Sequence, residues 1–570
     1  MKKNFIFLMG ICALLLTASC SNFLNEDNKS NIVADSYYKT KSGYENLVSS
    51  VYAQLRTLYS TGSDHHSAYA WMYCAGTDIF WRGRSTDINE QGLSSYEALT
   101  PSNTIVTQYY LDSYHAVQVA NTAIYYNSLT ASAPTLKSRL GEVRFLRALF
   151  YFNLVRQFGG VALVTNRINK PILNFQRASA DSVYTFIINQ MQQALTEVPE
   201  TNDPGRVDKR TVNFYLAKVY LARGYKSFGS KSDFSNAAKY ADAAINGQQL
   251  TIPFQQQWFP GKQNTPNVIF SVQYSNSSIL QNPSSSDDAS SYGNDQNYFF
   301  SPYLGGEGQT QGYPYRSHTL FPDPFLFSLY SQYDTRIDAT FMLKYYSRYY
   351  DFFDQNGSLD KLPVKYYYVP SWAVNDTTAW KAADPANRDS TIIIPESDWT
   401  PDLAYDPYRG APLPPPVKKF DDPTAIFGSN SSTRNIILAR LSEAYLVAAE
   451  AYYKLGDAST AAQRINAVRT RAAAAGHTSD MTITPSQVNI DLILNERARE
   501  LLGEYHRWFD LTRTGTLMAR DKKYNRNVQA WVNSGIDPFK GSAGKDKLLR
   551  PIPQSAIDLN HTTVQQNPGY

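Results

Sequence analysis

The sequence predicts a mainly α-helical protein built from paired helices, with one large irregular insertion. Along residues 43–250 and 433–570, apolar residues recur at steps of three and four, which is the spacing of one helix face. Between residues 251 and 432 this spacing is lost, and 19 of the 29 prolines lie between Pro253 and Pro423. Proline interrupts helices and strand ladders alike, so this segment is predicted to be loop-rich and only partly β.

The two helical parts are predicted in some detail. In the first part, apolar spacing predicts six helices, over Gly43–Tyr59, Ser102–Leu129, Leu136–Phe158, Ala180–Val198, Thr211–Ser227 and Phe234–Asn246. Helical spacing returns over Asn435–Ala475 and Ser486–Arg520, and this second part continues into a C-terminal segment that ends at residue 570. The two parts together form the predicted helical scaffold.

Two helix pairs in this scaffold look alike. In the later pair, an apolar face runs from Leu438 to Leu455, and Gly456 and Asp457 then predict a C-cap followed by the N-cap of the next helix. The earlier pair breaks over residues 229–233 and resumes with alanines. Small residues at the contact, followed by such a break, resemble tetratricopeptide-type hairpins. Ordinary antiparallel packing of two helices is the alternative.

The insertion, residues 251–432, carries only short predicted strands. These strands cover Val268–Gln273, Lys365–Val369 and Thr391–Ile394. The run GAPLPPPVK, Gly410–Lys418, is typical of a stiff extended segment. A structureless loop of this length is rare inside a compact domain, so we expect a partly ordered insertion packed on the helical body.

The N-terminus has the pattern of an export signal. Lys2 and Lys3 precede an apolar run that is too short for a membrane span, and small residues lead to Cys20. The stretch LTASC resembles a bacterial lipoprotein signal, which implies removal of residues 1–19 and lipidation of Cys20. Residues 20–42 would then form a tether to an outer-membrane anchor, and Cys74 would have no cysteine to pair with.

Charge and motifs exclude several classes of protein. The formal net charge is +4 and no long basic run is present, so nucleic acid is not an expected partner. The seven histidines and three cysteines form no zinc-binding spacing, and no serine-hydrolase elbow occurs. We therefore expect no cofactor, no metal ion and no enzymatic activity. A carboxylate pair for glycoside hydrolysis remains open, because the fold and not the spacing would set it.

Several stretches together resemble one family. They are GEVRFLRALFYFNLVRQFGGVALV (Gly141–Val164), YDTRIDATF (Tyr333–Phe341), ILNERARELLGEYHRWFDLTRTG (Ile493–Gly515) and the C-terminal PIPQSAIDLNHTTVQQNPGY. In this order they resemble the SusD/RagB family of outer-membrane lipoproteins. The resemblance implies a tetratricopeptide-like helical body, a cell-surface location over a TonB-dependent transporter, and non-catalytic capture of oligosaccharides. Peptide capture, or a purely protein-binding role in the same uptake complex, is the alternative.

The candidate ligand-binding residues are aromatic side chains with polar neighbours. Aromatic rings cover the apolar faces of sugars, while polar and charged groups bond the hydroxyl rim. The sharpest candidate lies in CAGTDIFWRGRSTD, where Trp81 stands beside Asp78 and Arg82, and the resemblance places a groove-shaping loop here. The alternative is that Trp81 packs under its loop. In the insertion, the candidates are Trp372, Trp380 and Tyr315. Trp508 is predicted to belong to the scaffold.

Overall fold

The computed structural model describes residues 34–59, 69–83, 87–131, 135–259, 261–275, 293–294, 296–300, 319–346, 362–399, 414–422 and 432–570. The predicted signal segment, Cys20 and Tyr315 lie outside these ranges. None of the helices in the described ranges is both long enough and apolar enough to cross a membrane.

The first helical part contains every helix that the apolar spacing predicts. Helices α1 to α9 are Ala34–Tyr37, Lys41–Tyr59, Ala70–Cys74, Ile88–Ser95, Thr104–Asn127, Leu136–Phe158, Ala180–Glu197, Lys209–Gly224 and Lys231–Ile245. The six predicted helices correspond to α2, α5, α6, α7, α8 and α9, with ends within three residues of those predicted.

The second helical part begins with a strand. Strand β7, Ile436–Arg440, precedes helix α16, Leu441–Leu455, so the expected helical start at Asn435 is wrong by six residues. The remaining helices α17 to α23 are Ala458–Arg471, Thr478–Met481, Ile490–Glu500, Arg507–Thr514, Leu517–Tyr524, Arg526–Asn533 and Gln554–Asp558. The predicted caps between α16 and α17 are confirmed: Gly456 has φ of 92°, and the Asp457 carboxylate accepts from the Thr460 amide at 2.9 Å.

The helices pack as successive antiparallel pairs. Helix α8 packs on α9, α9 packs on α16, and α16 packs on α17, so the earlier and later hairpins share one continuous stack. Alanines at the contacts, such as Ala237, Ala241, Ala448 and Ala461, are buried and allow the helices to approach closely. The tetratricopeptide-like helical architecture predicted from the sequence is thereby confirmed.

Short sheets join the insertion to the scaffold. Strand β2, Val268–Val272, pairs antiparallel with β7, and β3, Leu320–Pro322, pairs antiparallel with β1, Phe80–Arg82. A third sheet lies within the insertion and orders its strands β4-β5-β6, which are Lys344–Tyr346, Val364–Val369 and Ile392–Pro395. The three predicted strands are confirmed. Short helices α10 to α15 complete the described insertion, at Phe254–Gln257, Gln296–Phe299, Pro324–Phe327, Arg336–Thr340, Thr377–Ala382 and Pro385–Arg388.

Much of the tyrosine content lies in the core. Tyr59, Tyr73, Tyr109 and Tyr505 form one cluster of buried rings with centroids 5.4 to 6.2 Å apart. The Tyr73 hydroxyl donates to the Leu58 carbonyl at 3.0 Å, so its polar end is bonded inside the core. Tyrosine abundance therefore reflects helix packing here and does not by itself indicate a binding surface.

Two further buried side chains match the sequence analysis. Trp508 is fully buried and its indole N–H donates to the Tyr96 hydroxyl at 3.2 Å, which confirms its place in the scaffold. Cys74 is a buried free thiol, and burial raises its pKa above the ordinary range. A thiolate is thus strongly disfavoured at this position.

Candidate functional site

An open cleft lies within the insertion, and Ala474 of the scaffold also lines it. Its volume is about 460 Å³, within the usual range for small-molecule sites. Helix α13, strands β4 and β5 and the turn that follows β5 form its walls. The side chains that line it include Trp372, Tyr367, Lys344, Asp338 and Gln332.

The turn after β5 presents Trp372 to this cleft. Pro370, with φ of −60°, ends the strand and starts a 3₁₀ helix over Ser371–Asp376. The Glu396 carboxylate accepts from the Ser371 amide at 2.7 Å and holds the first residue of that helix. Trp372 is therefore half-buried at the cleft wall, one residue beyond a fixed turn.

A second aromatic ring, Tyr367, is supported from behind. Its ring lies 4.7 Å from the Trp380 ring, and the Lys344 ammonium lies 5.5 Å from the Tyr367 centroid across the β4–β5 pair. The Arg388 guanidinium lies 4.8 Å from the Trp380 centroid, and Arg388 donates to the Trp380 carbonyl at 3.0 Å. Trp380 thus acts as a support for Tyr367 and does not itself line the cleft.

The floor of the cleft, where Asp334 and Lys419 line it, rests on a buried ion-pair network. Arg336 is fully buried and binds Asp334 at 2.7 Å, Glu496 at 2.6 Å and Glu500 at 2.9 Å. Burial alone would raise the pKa of Glu496, but Arg336 and two neighbouring arginines outweigh burial and lower it far below the ordinary range. Asp334 lines the cleft, yet its carboxylate is occupied by Arg336.

Two adjacent lysines differ in what holds them. Lys419 is buried in the floor, where its ammonium donates to Glu504 at 2.6 Å and to the Leu502 carbonyl at 3.0 Å. Lys418 is half-buried at the rim near Asp338. Burial lowers the pKa of each ammonium to about 8, although nearby carboxylates act in the opposite direction. The site therefore joins a rigid charged floor to an aromatic wall with a polar rim.

Comparison with known proteins identifies the family. The model of the SusD family matches residues 266–570, and a second family, described as starch-binding and associating with the outer membrane, matches residues 22–221. The chain belongs to the SusD family. The SusD-like protein P2 of Formosa agariphila is 24% identical over 98% of each chain.

Two further relatives extend the comparison. The starch-binding protein SusD of Bacteroides thetaiotaomicron is 24% identical over 77% of this SusD-family chain and 74% of its own length. A solved laminarin-binding SusD-like protein superposes with a TM-score of 0.68 at 22% identity, covering 94% of this chain and all of the other. At that identity the likeness establishes the shared fold.

The structure brings together only some of the predicted site residues of this SusD-family protein. Trp372 lines the cleft, and Trp380 lies behind its wall. Asp78, Trp81 and Arg82 lie outside the cleft, in residues 78–82, which we call the β1 segment. Tyr315 is outside the described ranges. The ligand-binding role of all six residues stays a prediction.

Asp78 and Trp81 are buried in the β1 segment. Asp78 is 0% exposed; its Oδ1 accepts from Arg507 at 2.7 Å, and its Oδ2 accepts from Arg507 and Arg520 at 2.6 Å each. Trp81 is 3% exposed, with Phe321 edge-on at 4.9 Å and the Arg526 guanidinium 4.9 Å from its ring. This burial argues against direct ligand contact and favours the alternative, in which Trp81 packs under its loop.

Arg82 sits at the end of the same strand. It is half-buried, and its backbone amide donates to the Asn527 side chain at 2.6 Å. Burial lowers the pKa of its guanidinium, while Glu90 acts to raise it. The segment is thus anchored to helix α22 by main-chain as well as side-chain contacts.

Sequence reasoning missed Tyr367, Lys344 and Asp338 as parts of the cleft. A signal for Tyr367 was present in the strand VKYYYV, because alternate side chains of a strand point to opposite faces. Tyr366 and Tyr368 are buried, while Tyr367 between them is half-buried and faces the cleft. Nothing local marks Lys344 or Asp338, which reach the site through strand pairing and helix α13.

Proposed function

We propose that this protein is a non-catalytic glycan-binding lipoprotein of the outer membrane. It captures oligosaccharides on the cell surface and delivers them to a TonB-dependent transporter. Membership of the SusD family supports the class of function. The lipoprotein-like signal ending at Cys20 supports the anchor, and that segment lies outside the described residues.

The aromatic wall of the cleft is the observation that supports a glycan as the ligand. Trp372 and Tyr367 present half-buried rings at the same cavity, and Asp338, Gln332 and Lys344 stand at that cavity with groups that can bond hydroxyls. A pyranose has an apolar C–H face and a polar rim, so a ring-and-rim site of about 460 Å³ suits a short stretch of glycan chain.

The cleft supports binding more than hydrolysis. Glycoside hydrolysis needs two carboxyl groups that are available to the scissile bond. Of the two carboxylates that line the described cleft, Asp334 accepts two hydrogen bonds from Arg336, and Asp338 stands exposed at the rim. Asp334 is therefore committed to the floor and is poorly placed to act as an acid or a base.

Calorimetry of the purified protein against a panel of soluble glycans tests this proposal. The panel includes laminarin and starch, which the names of two relatives mention, together with a mixture of unmodified peptides. We expect one glycan to bind, and Trp372→Ala to weaken it about tenfold, because a ring covered by a sugar face contributes about 1–2 kcal/mol. Saturable binding of peptides with no glycan binding would instead support the peptide alternative.

The matched control is Trp531→Ala. Trp531 is also half-buried, but it belongs to helix α22 and does not line the cleft. We expect the Trp531→Ala variant to bind the glycan with the affinity of the wild-type protein. Equal losses in both variants would contradict the assignment of the cleft, and product release from the bound glycan would contradict the non-catalytic assignment.

A further inference from the structure

Another, much smaller pocket lies between helices of the scaffold and shares no lining residue with the cleft. Helices α6, α8, α16, α19 and α20 meet around it. Its volume is about 20 Å³, room for one water-sized or monoatomic species. Its lining is Phe152, Arg156, Lys218, Leu221, Ala222, Val447, Arg497, His506, Phe509, Asp510 and Arg513.

Three of the cations in this lining are paired with carboxylates. Lys218 lies 2.8 Å from Glu443, and Arg497 lies 2.7 Å from Asp510. Arg513 binds Glu450 at 2.8 Å through Nη2, which also lies 3.0 Å from Asp510. Only Asp510 among these carboxylates lines the pocket itself. The residues that line the pocket therefore carry more positive than negative charge, because Glu443 and Glu450 lie behind the lining.

The fourth cation, Arg156, has no carboxylate within ion-pair distance among the residues that the structure describes. It donates to the Asn153 side chain at 2.5 Å and to the Phe152 carbonyl at 3.3 Å. Its guanidinium carbon lies 3.6 Å from the Phe509 ring centroid, so an aromatic face covers it. Arg156 therefore brings a positive charge to the pocket that no described side chain neutralises.

The lining cations and the carboxylates paired with them carry a net charge of +1. Burial, together with Lys218 and Arg497, lowers the pKa of His506 well below its ordinary range, so its ring is neutral at physiological pH. The count is then four cations against three carboxylates: Arg156, Lys218, Arg497 and Arg513 against Glu443, Glu450 and Asp510.

An unsatisfied donor accompanies this excess charge. Arg497 is 3% exposed, and its Nη1 has no hydrogen-bond partner in the described part of the chain. A buried guanidinium N–H without an acceptor costs about 1–3 kcal/mol or more, so such groups normally face an acceptor, a water or an ion. The lining of the pocket offers cations and apolar walls from Leu221, Ala222 and Val447. Two of its side chains can accept a hydrogen bond, Asp510 and the neutral ring of His506, and neither accepts from Arg497 Nη1.

We propose that this pocket binds one small monovalent anion of the halide class, with chloride as the physiological occupant. The anion neutralises the excess positive charge of Arg156. It lies among cationic and apolar side chains, in a region of low dielectric. The volume excludes sulfate, phosphate and a sugar carboxylate. The site would join the first and second parts of the scaffold, since its lining comes from helices of both.

Bromide is the probe for the test, because its anomalous scattering identifies it in a crystal. Crystals of the wild-type protein grown with sodium bromide are expected to show one anomalous peak in the pocket. Density there without anomalous signal at saturating bromide would identify a water and overturn the proposal. This measurement needs no variant, so its result does not depend on whether a mutant folds.

Arg156→Gln supplies the matched variant, because removing Arg156 leaves no described carboxylate unpaired. We expect its affinity for bromide to fall by at least about tenfold. The readout is the saturable rise in melting temperature with sodium bromide, compared with sodium methanesulfonate at equal ionic strength. Lys239→Gln, which removes an exposed cation from helix α9, should keep the wild-type response. An unchanged response in Arg156→Gln would overturn the proposal.

Discussion

The β1 segment and the segment of residues 362–399 both place a tryptophan among charged and polar residues, yet the two tryptophans differ in how far they are buried. Trp81 and Asp78 are buried, and distant arginines bind the Asp78 carboxylate. Trp372 and Tyr367 are half-buried at an open cleft. The two segments differ in where their polar groups find partners.

The difference shows that residues far along the chain determine whether a buried carboxyl group is ionised. Arg507 and Arg520 lie 429 and 442 residues after Asp78, and together they make its ionised form the stable one. Burial would raise the pKa of Asp78, but the two arginines outweigh burial and lower it. A carboxylate committed in this way organises the fold and has little capacity left for a sugar hydroxyl.

The largest expected effect comes from removing that carboxylate. Asp78→Ala leaves two buried arginines without their shared partner, which costs about 3–5 kcal/mol of unfolding free energy. Asp376→Ala is the control on the other side of the comparison, because Asp376 is exposed beside the cleft turn, and we expect it to cost under about 0.5 kcal/mol. Urea denaturation measures both, and equal stabilities would remove the distinction between the two segments.

A smaller effect is expected from the tryptophans themselves. Trp81→Ala should lower the unfolding free energy by about 3 kcal/mol, because it opens a cavity against Phe321 and Arg526. Trp372→Ala should cost about 1 kcal/mol or less, because its ring is only half-buried. Thermal and urea unfolding of the two variants side by side gives the comparison. A folded Trp81→Ala of wild-type stability that no longer binds glycan would restore Trp81 as a ligand residue.

The scaffold was predictable because its signals are local. Apolar spacing, Gly456 at a left-handed C-cap and Asp457 at an N-cap each act within a few residues, and the helices start and end close to the predicted positions. Strand β7 was missed because IILAR is equally compatible with a helix face, and the β2 residues that pair with it lie 164 to 172 residues earlier in the chain. Pairing across such a distance leaves no trace in local spacing.

The cleft was only partly predictable for the same reason. Trp372 could be named because it and Trp380 flank Asn375 and Asp376 in the sequence. The role of Trp380 behind Tyr367 depends on how helix α14 packs on strand β5, and that packing is not written in either segment alone. The same local signal also selected Trp81, where long-range ion pairs bury the segment.

Asp323 is a buried carboxyl group that is bonded to the β1 segment. Asp323 follows strand β3, its backbone amide donates to the Ile79 carbonyl at 2.9 Å, and its carboxylate accepts from the amides of Arg526 and Phe325. Burial raises the pKa of Asp323 to about 8, with a further small contribution from Asp78, against the backbone donors and the charge of Arg526. The group is therefore protonated in the folded protein at pH 7.

The sign of the pH dependence follows from this shift. Between pH 4 and pH 8 the folded protein binds a proton at Asp323 that the unfolded chain has released, so this group makes stability fall as the pH rises, by up to about 1.4 kcal/mol per pH unit. Asp323→Asn has no proton to lose, and its single carbonyl oxygen can accept from only one of the two amides. The loss of the other hydrogen bond lowers stability by the same amount at every pH. Urea denaturation at pH 5, 6, 7 and 8 should therefore show the wild-type protein losing stability relative to Asp323→Asn at each step. A difference between the two proteins that is constant over this range would mean that Asp323 is ionised in the fold, and that the β1 segment accommodates one more charge than its burial suggests.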